Sequence, residues 1–185
     1  MASILSVSFL FLGAILSAVF LPEFSTASFP AEKKTHLHFF LQEQFNPPNS
    51  TVVKVAPGAA GGGGDAASLA AFGNVFIIDD YLTDGPDPSS RLLGRVQGLS
   101  AAASISGSDF LLVANFAFTE SGPWSGSSLA VLARNPLPEA VRELPVVGGT
   151  GKFRLARGYA IFRTVSINSA AGHITVEVDV FVLQY

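Results

Sequence analysis

Strand-like runs alternate with turns along the chain from Thr35 to its end. Runs with apolar residues at every second position are typical of β-strands, and breaks rich in Gly, Ser, Asp and Pro are typical of turns. No convincing helix occurs between them. Such a chain of eight or so strands predicts an all-β barrel or sandwich, and closure into a barrel would remove exposed sheet edges. The predicted strands are 35–43, 50–56, 72–80, 92–103, 110–119, 128–134, 141–147, 153–164 and 174–183.

The composition narrows the class of protein. Hydrophobic residues make up 49% of the chain, charged residues only 14%, and 16 residues are Phe. This predicts strands that are apolar on both faces, with a lined barrel interior and an outer face covered by a neighbour. The net charge of −3 argues against nucleic acid as a partner, and the absence of cysteine excludes disulfides, thiol catalysis and thiolate metal sites.

The N-terminal segment is predicted to be a signal peptide. Residues 4–21 form an apolar run without charge, and small residues follow at 25–27, so we expect cleavage after Ala27 and a domain of residues 28–185. An uncleaved membrane anchor is the competing interpretation. With cleavage, we expect a secreted protein without a membrane contact. Asn49-Ser50-Thr51 is an N-glycosylation acceptor, which predicts an exposed loop, and the glycine-rich stretch 57–65 is predicted to be a flexible surface insertion.

The segment 146–160, VVGGTGKFRLARGYA, breaks an otherwise strand-like region. Its glycines predict a tight turn or bulge, because glycine tolerates positive φ. It lacks the residues of a phosphate loop or of a dinucleotide-binding turn, so no cofactor is predicted. In the strand that follows, Arg157, Tyr159, Ile161 and Arg163 share one face. Apolar neighbours surround Arg157 in sequence, so we expect it to need a carboxylate partner or an anionic ligand.

Ionisable residues on apolar strands are the candidates for chemistry. Asp79 and Asp80 are adjacent in a strand, so at most one of them enters the interior, and both could simply serve the following turn. The alternative to a chemical role for these ionisable residues is that they form ion pairs on the outer face of the barrel. His36 and His38 point the same way but have no third ligand nearby, so no metal site is predicted. Trp124 either rims a pocket or packs on a surface loop. The set consists of Glu43, Asp79 or Asp80, Arg157, Arg163, Glu177 and Asp179.

Several long motifs resemble those of the plant dirigent proteins, in the order found in that family. They are VVGGTGKFRLARGYA, FGNVFIIDDYLTDGPDPSSRLLGRVQG (72–98), NFAFTESGPWSGSSLAVLARN (115–135) and the closing VEVDVFVLQY. The resemblance implies an eight-stranded antiparallel barrel with a central apolar cavity, which usually trimerises, so a homo-oligomer (trimer or dimer) is expected. It also implies stereoselective coupling of phenolic radicals, such as those of coniferyl alcohol, to give lignans. A separate laccase or peroxidase supplies the radicals, and the protein needs no cofactor.

The resemblance also assigns candidate site residues. Arg157 matches the family's ARG motif of the cavity, Asp79 and Asp80 match its paired aspartates, and Glu43 replaces a first-strand aspartate. Lys152 stands where pinoresinol-forming members usually carry aspartate, which argues against pinoresinol formation. The sequences of 82–98 and 153–160 are more similar to the branch of the family that includes the pterocarpan synthases. Those proteins close a ring on an isoflavonoid quinone methide. A cofactor-independent dehydratase or cyclase is therefore the alternative, and a non-catalytic cell-wall binding protein the second alternative.

Overall fold

The computed structural model describes residues 31–58 and 69–185. The predicted signal peptide and most of the glycine-rich insertion lie outside these residues and stay predictions. In the described part, nine strands and one 3-10 turn, Gly151–Phe153, make up the regular structure. The strands are β1 Lys33–Gln44, β2 Val52–Ala56, β3 Val75–Thr83, β4 Leu92–Ala102, β5 Asp109–Phe118, β6 Ser127–Pro136, β7 Arg142–Thr150, β8 Arg157–Asn168 and β9 His173–Gln184.

Eight of these strands close into an antiparallel barrel. The order of neighbours is β1-β9-β8-β7-β6-β5-β4-β3, and the pairing of β1 with β3 completes the ring. The short β2 pairs with β3 beside this closure. The predicted all-β, eight-stranded antiparallel barrel is therefore confirmed. Among residues 31–58 and 69–185, no helix has the length and apolar character needed to cross a membrane.

The closure between β1 and β3 has the form of a fork. β1 pairs with β3 only over Phe40–Gln42, opposite Tyr81–Thr83, while β9 accompanies β1 along its whole length. β1 then turns away from β3, the chain loops through 45–51, and β2 takes the vacated place beside the first half of β3. The side chains at this fork consequently lie between three strands at one end of the barrel.

Strict alternation fills the barrel interior. The inward positions of β1 and β9 are buried: Leu37, Phe39, Leu41, Val176, Val178, Val180 and Val182. In the middle of the barrel, the Phe39 ring packs edge-on against Phe116, with 5.7 Å between ring centroids. A fully buried side chain of this size contributes about 1.5–3 kcal/mol, so the packed middle layer is the main source of stability.

The glycine-rich segment combines the two predicted features, a bulge and a turn. The pairing of β6 with β7 skips a residue between Val146 and Gly148, which is a β-bulge. Gly151 then has φ +60°, and the 3-10 turn follows. Because of this turn, β8 begins at Arg157 and not at Phe153, whose buried ring caps the interior below Trp124.

Candidate active site

A pocket of about 230 Å³ opens at the end of the barrel where the fork lies. It is formed by the last residues of β1, β4, β6 and β8 and the first residues of β3, β5, β7 and β9, which meet at one end in an antiparallel barrel. Aromatic and aliphatic side chains form most of its wall, including Phe45, Phe76, Phe110, Leu112, Phe162, Ile167 and Ile174. The pocket therefore suits a small, largely apolar guest.

Glu43 is the carboxylate of this pocket. It lies two positions after the buried Leu41 on β1, so it points into the barrel. Burial raises its pKa to about 7, although the positive charge of Arg142 opposes the rise. A carboxyl group with this pKa exists in both protonation states near neutral pH, as a general acid or base requires.

Asp80 lies next to Glu43 and is fully buried. Burial raises its pKa to about 8, the negative charge of Glu43 adds to the rise, and a hydrogen bond from Thr51 opposes it. Thr51 Oγ1 lies 2.5 Å from Asp80 Oδ1, while Asp80 Oδ2 is buried without a hydrogen-bond partner in the described part of the chain. Asp80 itself does not line the pocket, so Glu43 is the group that a guest would meet.

Arg142 supplies the positive charge of the pocket and is only 3% exposed. Its Nη1 donates to Asn135 Oδ1 at 3.2 Å and its Nη2 to Thr164 Oγ1 at 2.7 Å. Burial lowers its pKa, which the charge of Glu43 counteracts. The remaining nitrogen, Nε, is buried, and its N–H has no partner among the described residues. A held guanidinium with a nitrogen left unpartnered can bind an oxygen of a guest.

Arg142 was not among the residues predicted from the sequence. A signal was present, because Arg142 alternates with Leu144 and Val146 on β7, and these two are core residues. A charged residue at the inward position of an apolar strand points to a site.

Asp79 points away from the pocket, as the alternation predicted for one of the two aspartates. Its carboxylate pairs with Arg95 Nε at 2.5 Å and accepts a hydrogen bond from Gln97 at 3.0 Å. The guanidinium of Arg95 also stacks on the Tyr81 ring, 4.2 Å from its centroid. Asp79 belongs to an outer-face ion pair, and it affects the pocket only through its charge on Asp80.

Arg157 lies on the outer surface, which corrects the expectation that it belongs to the cavity. Its side chain is 57% exposed, and its Nη1 lies 2.5 Å from Glu32 Oε1. This hydrogen bond raises the pKa of Arg157. The grouping of Arg157, Tyr159, Ile161 and Arg163 on one face was correct, but the interior takes the opposite face of β8, with Ala160 and Phe162 buried. The expected carboxylate partner is present, outside the barrel.

The remaining candidates form an outer cluster across β1, β9 and β8. Asp179 Oδ1 lies 2.8 Å from His36 Nε2 and 3.0 Å from His38 Nδ1, and Arg163 donates to Asp179 Oδ2 at 2.8 Å. Burial alone would raise the pKa of Asp179, but these three hydrogen bonds outweigh it and lower the pKa to about 2. Glu177 flanks the cluster. Within the described ranges, no group of His, Asp and Glu side chains has the geometry to hold a metal ion.

A second pocket, of about 270 Å³, lies at the opposite end of the barrel and contains Trp124. The indole packs on the buried Phe153 ring with 5.0 Å between centroids, so of the two predicted roles of Trp124, the one at a pocket applies. Lys152 Nζ donates to the Pro123 carbonyl at this end, 2.6 Å away. Lys152 is therefore far along the barrel from the carboxyl pair, and Asn49 is exposed in the loop between β1 and β2.

The fork pocket thus brings together the Glu43 carboxyl, a fixed guanidinium and an apolar wall, and the charge of Glu43 acts on the buried Asp80. The carboxyl pair can exchange protons with a guest near neutral pH. The guanidinium can stabilise negative charge on an oxygen of the guest. The aromatic side chains can hold flat rings. These properties suit proton-transfer chemistry on a flat, largely apolar guest that carries an oxygen.

Comparisons with known proteins agree on one family. The family model described as Dirigent-like protein matches residues 34–183. Dirigent protein 1 of Arabidopsis thaliana is 41% identical over 157 residues, which are 83% of this chain and 84% of that protein. Pterocarpan synthase 1 of Glycine max is 41% identical over 158 residues, covering 85% of this chain and 82% of that protein.

The solved structures include the same kind of protein. The structure of the pterocarpan synthase dirigent protein GePTS1 matches with a TM-score of 0.74 at 40% identity. The match covers 85% of this chain and 88% of that chain. Sequence and structure comparisons therefore lead to the same set of relatives.

Proposed function

The chain belongs to the dirigent-like protein family, and on that basis we propose that it binds a phenolic alcohol in the fork pocket and closes a ring on it with loss of water. The observation that carries the proposal is the pair of Glu43 and Asp80, whose pKa values are raised to about 7 and about 8 beside the guanidinium of Arg142. Relatives of this chain are named pterocarpan synthases, which supports ring closure as the reaction.

The proton balance of this reaction needs only the carboxyl pair. The pair, holding one proton, gives it to a benzylic hydroxyl group, whose C–O bond breaks as water leaves. The pair takes the proton of the conjugated phenol in exchange, and the substrate becomes a quinone methide. A second phenolic oxygen then attacks the benzylic carbon. The pair accepts its proton and returns one to the quinone-methide oxygen, so that the pair ends as it began.

Each side chain has a separate role in this scheme. Glu43 lines the pocket and exchanges protons with the substrate. Asp80 does not line the pocket, and its protonation depends on the charge of Glu43. Arg142 Nε–H binds the phenolic oxygen and stabilises the charge that develops on it. The aromatic wall fixes which face of the quinone methide the second phenol reaches, so the product is a single enantiomer.

Steering of radical coupling is the second candidate, supported by the relatives named dirigent proteins. In that role the pocket would hold radicals of coniferyl alcohol or a similar phenol, made by a laccase or peroxidase, and would yield optically active lignans. Coupling requires two guests at once. A pocket of about 230 Å³ is smaller than the ~300–1,000 Å³ of typical ligand sites, which favours one guest and hence ring closure.

The outer face supports a homo-oligomer. Directly paired apolar residues cross five neighbouring strands, and we call them the outer apolar stripe: Val53, Ile77, Leu99, Val113 and Leu132. Val53, Ile77 and Leu132 are each about half exposed. Self-association through this stripe would remove apolar surface from water. We further propose that the protein is secreted, since the predicted signal peptide and the exposed acceptor at Asn49 point the same way.

Incubation of the purified protein with isoflavonoid alcohols tests the proposal, with no oxidant present and with chiral chromatography as the readout. We expect a product lighter by one water and enriched in one enantiomer. A parallel reaction contains coniferyl alcohol and a one-electron oxidant. Enantiomeric excess in that reaction, together with no conversion in the first, would replace ring closure by the coupling role. No effect in either would leave a cell-wall binding protein.

A further inference from the structure

Thr51 is fixed at the fork by backbone hydrogen bonds to both flanking strands. Its N–H donates to the Gln44 carbonyl on β1 at 2.7 Å, and its own carbonyl accepts from the Asp79 N–H on β3 at 2.9 Å. The residue is 7% exposed, although it follows an exposed turn. Its hydroxyl group is thereby held in place next to the Asp80 carboxyl.

The hydrogen-bond directions at this hydroxyl follow from the donor on its other side. The Gln44 N–H, which can only donate, points at Thr51 Oγ1 over 2.9 Å. The single hydroxyl proton is then free to go to Asp80 Oδ1, at 2.5 Å, and no other acceptor for it occurs in the described ranges. Asp80 Oδ1 is therefore an acceptor, and the carboxylic proton belongs on Oδ2.

The charges around Asp80 come from three strands. Glu43 on β1 and Asp79 on β3 act on it with negative charge, and Arg95 on β4 with positive charge. Arg142 on β7 acts on Glu43. Of the groups that influence Asp80, Thr51 is the one that bonds to its carboxyl directly, and it leaves Oδ2 without a partner.

We propose that Thr51 is a positioning residue that holds the acidic proton of Asp80 on Oδ2, the carboxyl oxygen that Thr51 leaves without a partner. Thr51 sets the pH at which the pair loses this last proton, because its hydrogen bond stabilises the ionised form of Asp80. The effect of Thr51 on catalysis rests on the proposed function, whereas its effect on the location of the Asp80 proton does not depend on any substrate.

The test is a titration of Asp80 by NMR in protein labelled with ¹³C at the aspartate carboxyl groups. The Asp80 signal is assigned by its loss in Asp80→Asn. We expect Thr51→Val to raise the titration midpoint of Asp80 by about one pH unit, because the ionised form loses a hydrogen bond. Thr51→Ser keeps the hydroxyl group, so its midpoint should match that of the wild type. If Thr51→Val does not fold, Thr51→Ala gives the same comparison.

One control is required by the sequence. Thr51 is also the third residue of the glycosylation acceptor, so Thr51→Val abolishes both the hydroxyl group and the acceptor, whereas Thr51→Ser retains both. Asn49→Gln removes the acceptor alone and should titrate like the wild type. An unchanged midpoint in Thr51→Val, or a midpoint in Thr51→Ser shifted as far as in Thr51→Val, would overturn the proposal.

The pH profile of turnover separates positioning from a structural role. In Thr51→Val, the fall of kcat/KM at high pH should shift to a higher pH by as much as the NMR midpoint of Asp80. In Thr51→Ser, this fall should occur at the same pH as in the wild type. A merely structural role would lower turnover without shifting this fall. If the wild type converts no phenolic alcohol, the proposed function fails, and the NMR midpoints still decide the role of Thr51.

Discussion

Glu43 and Asp80 occupy the first facing positions beyond Gln42 and Tyr81, the last residue pair that joins β1 to β3. Both side chains point into the barrel at the place where the sheet forks, with Asp80 fully buried and Glu43 in the wall of the pocket. Burial raises both pKa values into the neutral range, and the charge of Glu43 adds to the rise at Asp80. The closure of the barrel therefore creates the acid–base pair.

Glu43→Gln should lower turnover by about 10²–10⁴-fold, because the amide has the shape of the carboxyl but cannot exchange a proton. Substrate affinity should change little. The matched control is Glu143→Gln, since Glu143 lies on the outer face of β7. Steady-state kinetics of both variants check this. A Glu43→Gln variant as active as Glu143→Gln would remove Glu43 from the catalytic site.

Arg142→Met should weaken substrate binding by about 10–100-fold, since a hydrogen bond to a charged group is worth about 1.5–3 kcal/mol. It should also raise the pKa of Glu43, because the charge of Arg142 opposes the effect of burial. Titration calorimetry with a phenolic ligand and an NMR titration of Glu43 measure the two effects. Arg134→Met, on an exposed arginine paired with Asp109, is the control. Equal affinities in the two variants would contradict the role of Arg142.

The stability of the protein should fall as the pH rises from 5 to 9. The folded-state pKa values of Glu43 and Asp80 are raised, so their contribution is complete below the unfolded-state values near 4 and is lost as the pH passes through about 7 and about 8. In Asp80→Asn the amide does not ionise, so the loss of stability between pH 5 and pH 9 should be smaller than in the wild type. Denaturant unfolding of both proteins at several pH values measures the free energy of unfolding and its change with pH.

Asp84→Asn serves as the control for that experiment, because Asp84 forms an exposed ion pair with Arg91. Its stability curve should run parallel to that of the wild type. Equal pH dependence in Asp80→Asn and the wild type would show that Asp80 ionises normally in the folded protein.

Arg157→Ala should leave turnover and product chirality unchanged. Its ion pair with Glu32 is exposed on the outside of the barrel, where solvent and salt screen the attraction between the two charges. Kinetics and the melting temperature check the prediction. A tenfold loss of turnover with an intact fold would return Arg157 to the site, as the resemblance to the family implied.

Val113→Glu should dissociate the expected homo-oligomer, because it places a charge in the middle of the outer apolar stripe. Light scattering after gel filtration compares it with Ser166→Glu, a change at an exposed position of β8. We expect a smaller species only for Val113→Glu. An oligomer that survives in Val113→Glu would place the interface elsewhere.

The strands, their faces and the family could be predicted from the sequence, because side chains alternate with a period of two and the motifs are long. On β1, for example, the alternating residues Leu37, Phe39 and Leu41 share one face, and the structure buries all three. Alternation could not decide which face of β8 turns inward, since both faces carry apolar residues. The resemblance to the family placed Arg157 in the cavity, and alternation could not correct this, although Phe162 is the residue that points inward.

The site itself depended on contacts that alternation does not encode. Glu43 and Asp80 meet only because β1 closes on β3 over three residue pairs before it turns away. Arg142 approaches them from a strand on the other side of the barrel, and its partners, Asn135 and Thr164, come from two further strands. Register and closure determine these contacts, and both result from packing of the whole chain.

The pH profile of kcat/KM in the oxidant-free reaction tests the central claim most directly. If the carboxyl pair works while it holds a single proton, the profile is bell-shaped, with its maximum between about pH 7 and about pH 8. Loss of the second proton lowers the rate above this range, and gain of a further proton lowers it below. A rate that stays constant from pH 5 to pH 9 would contradict the account.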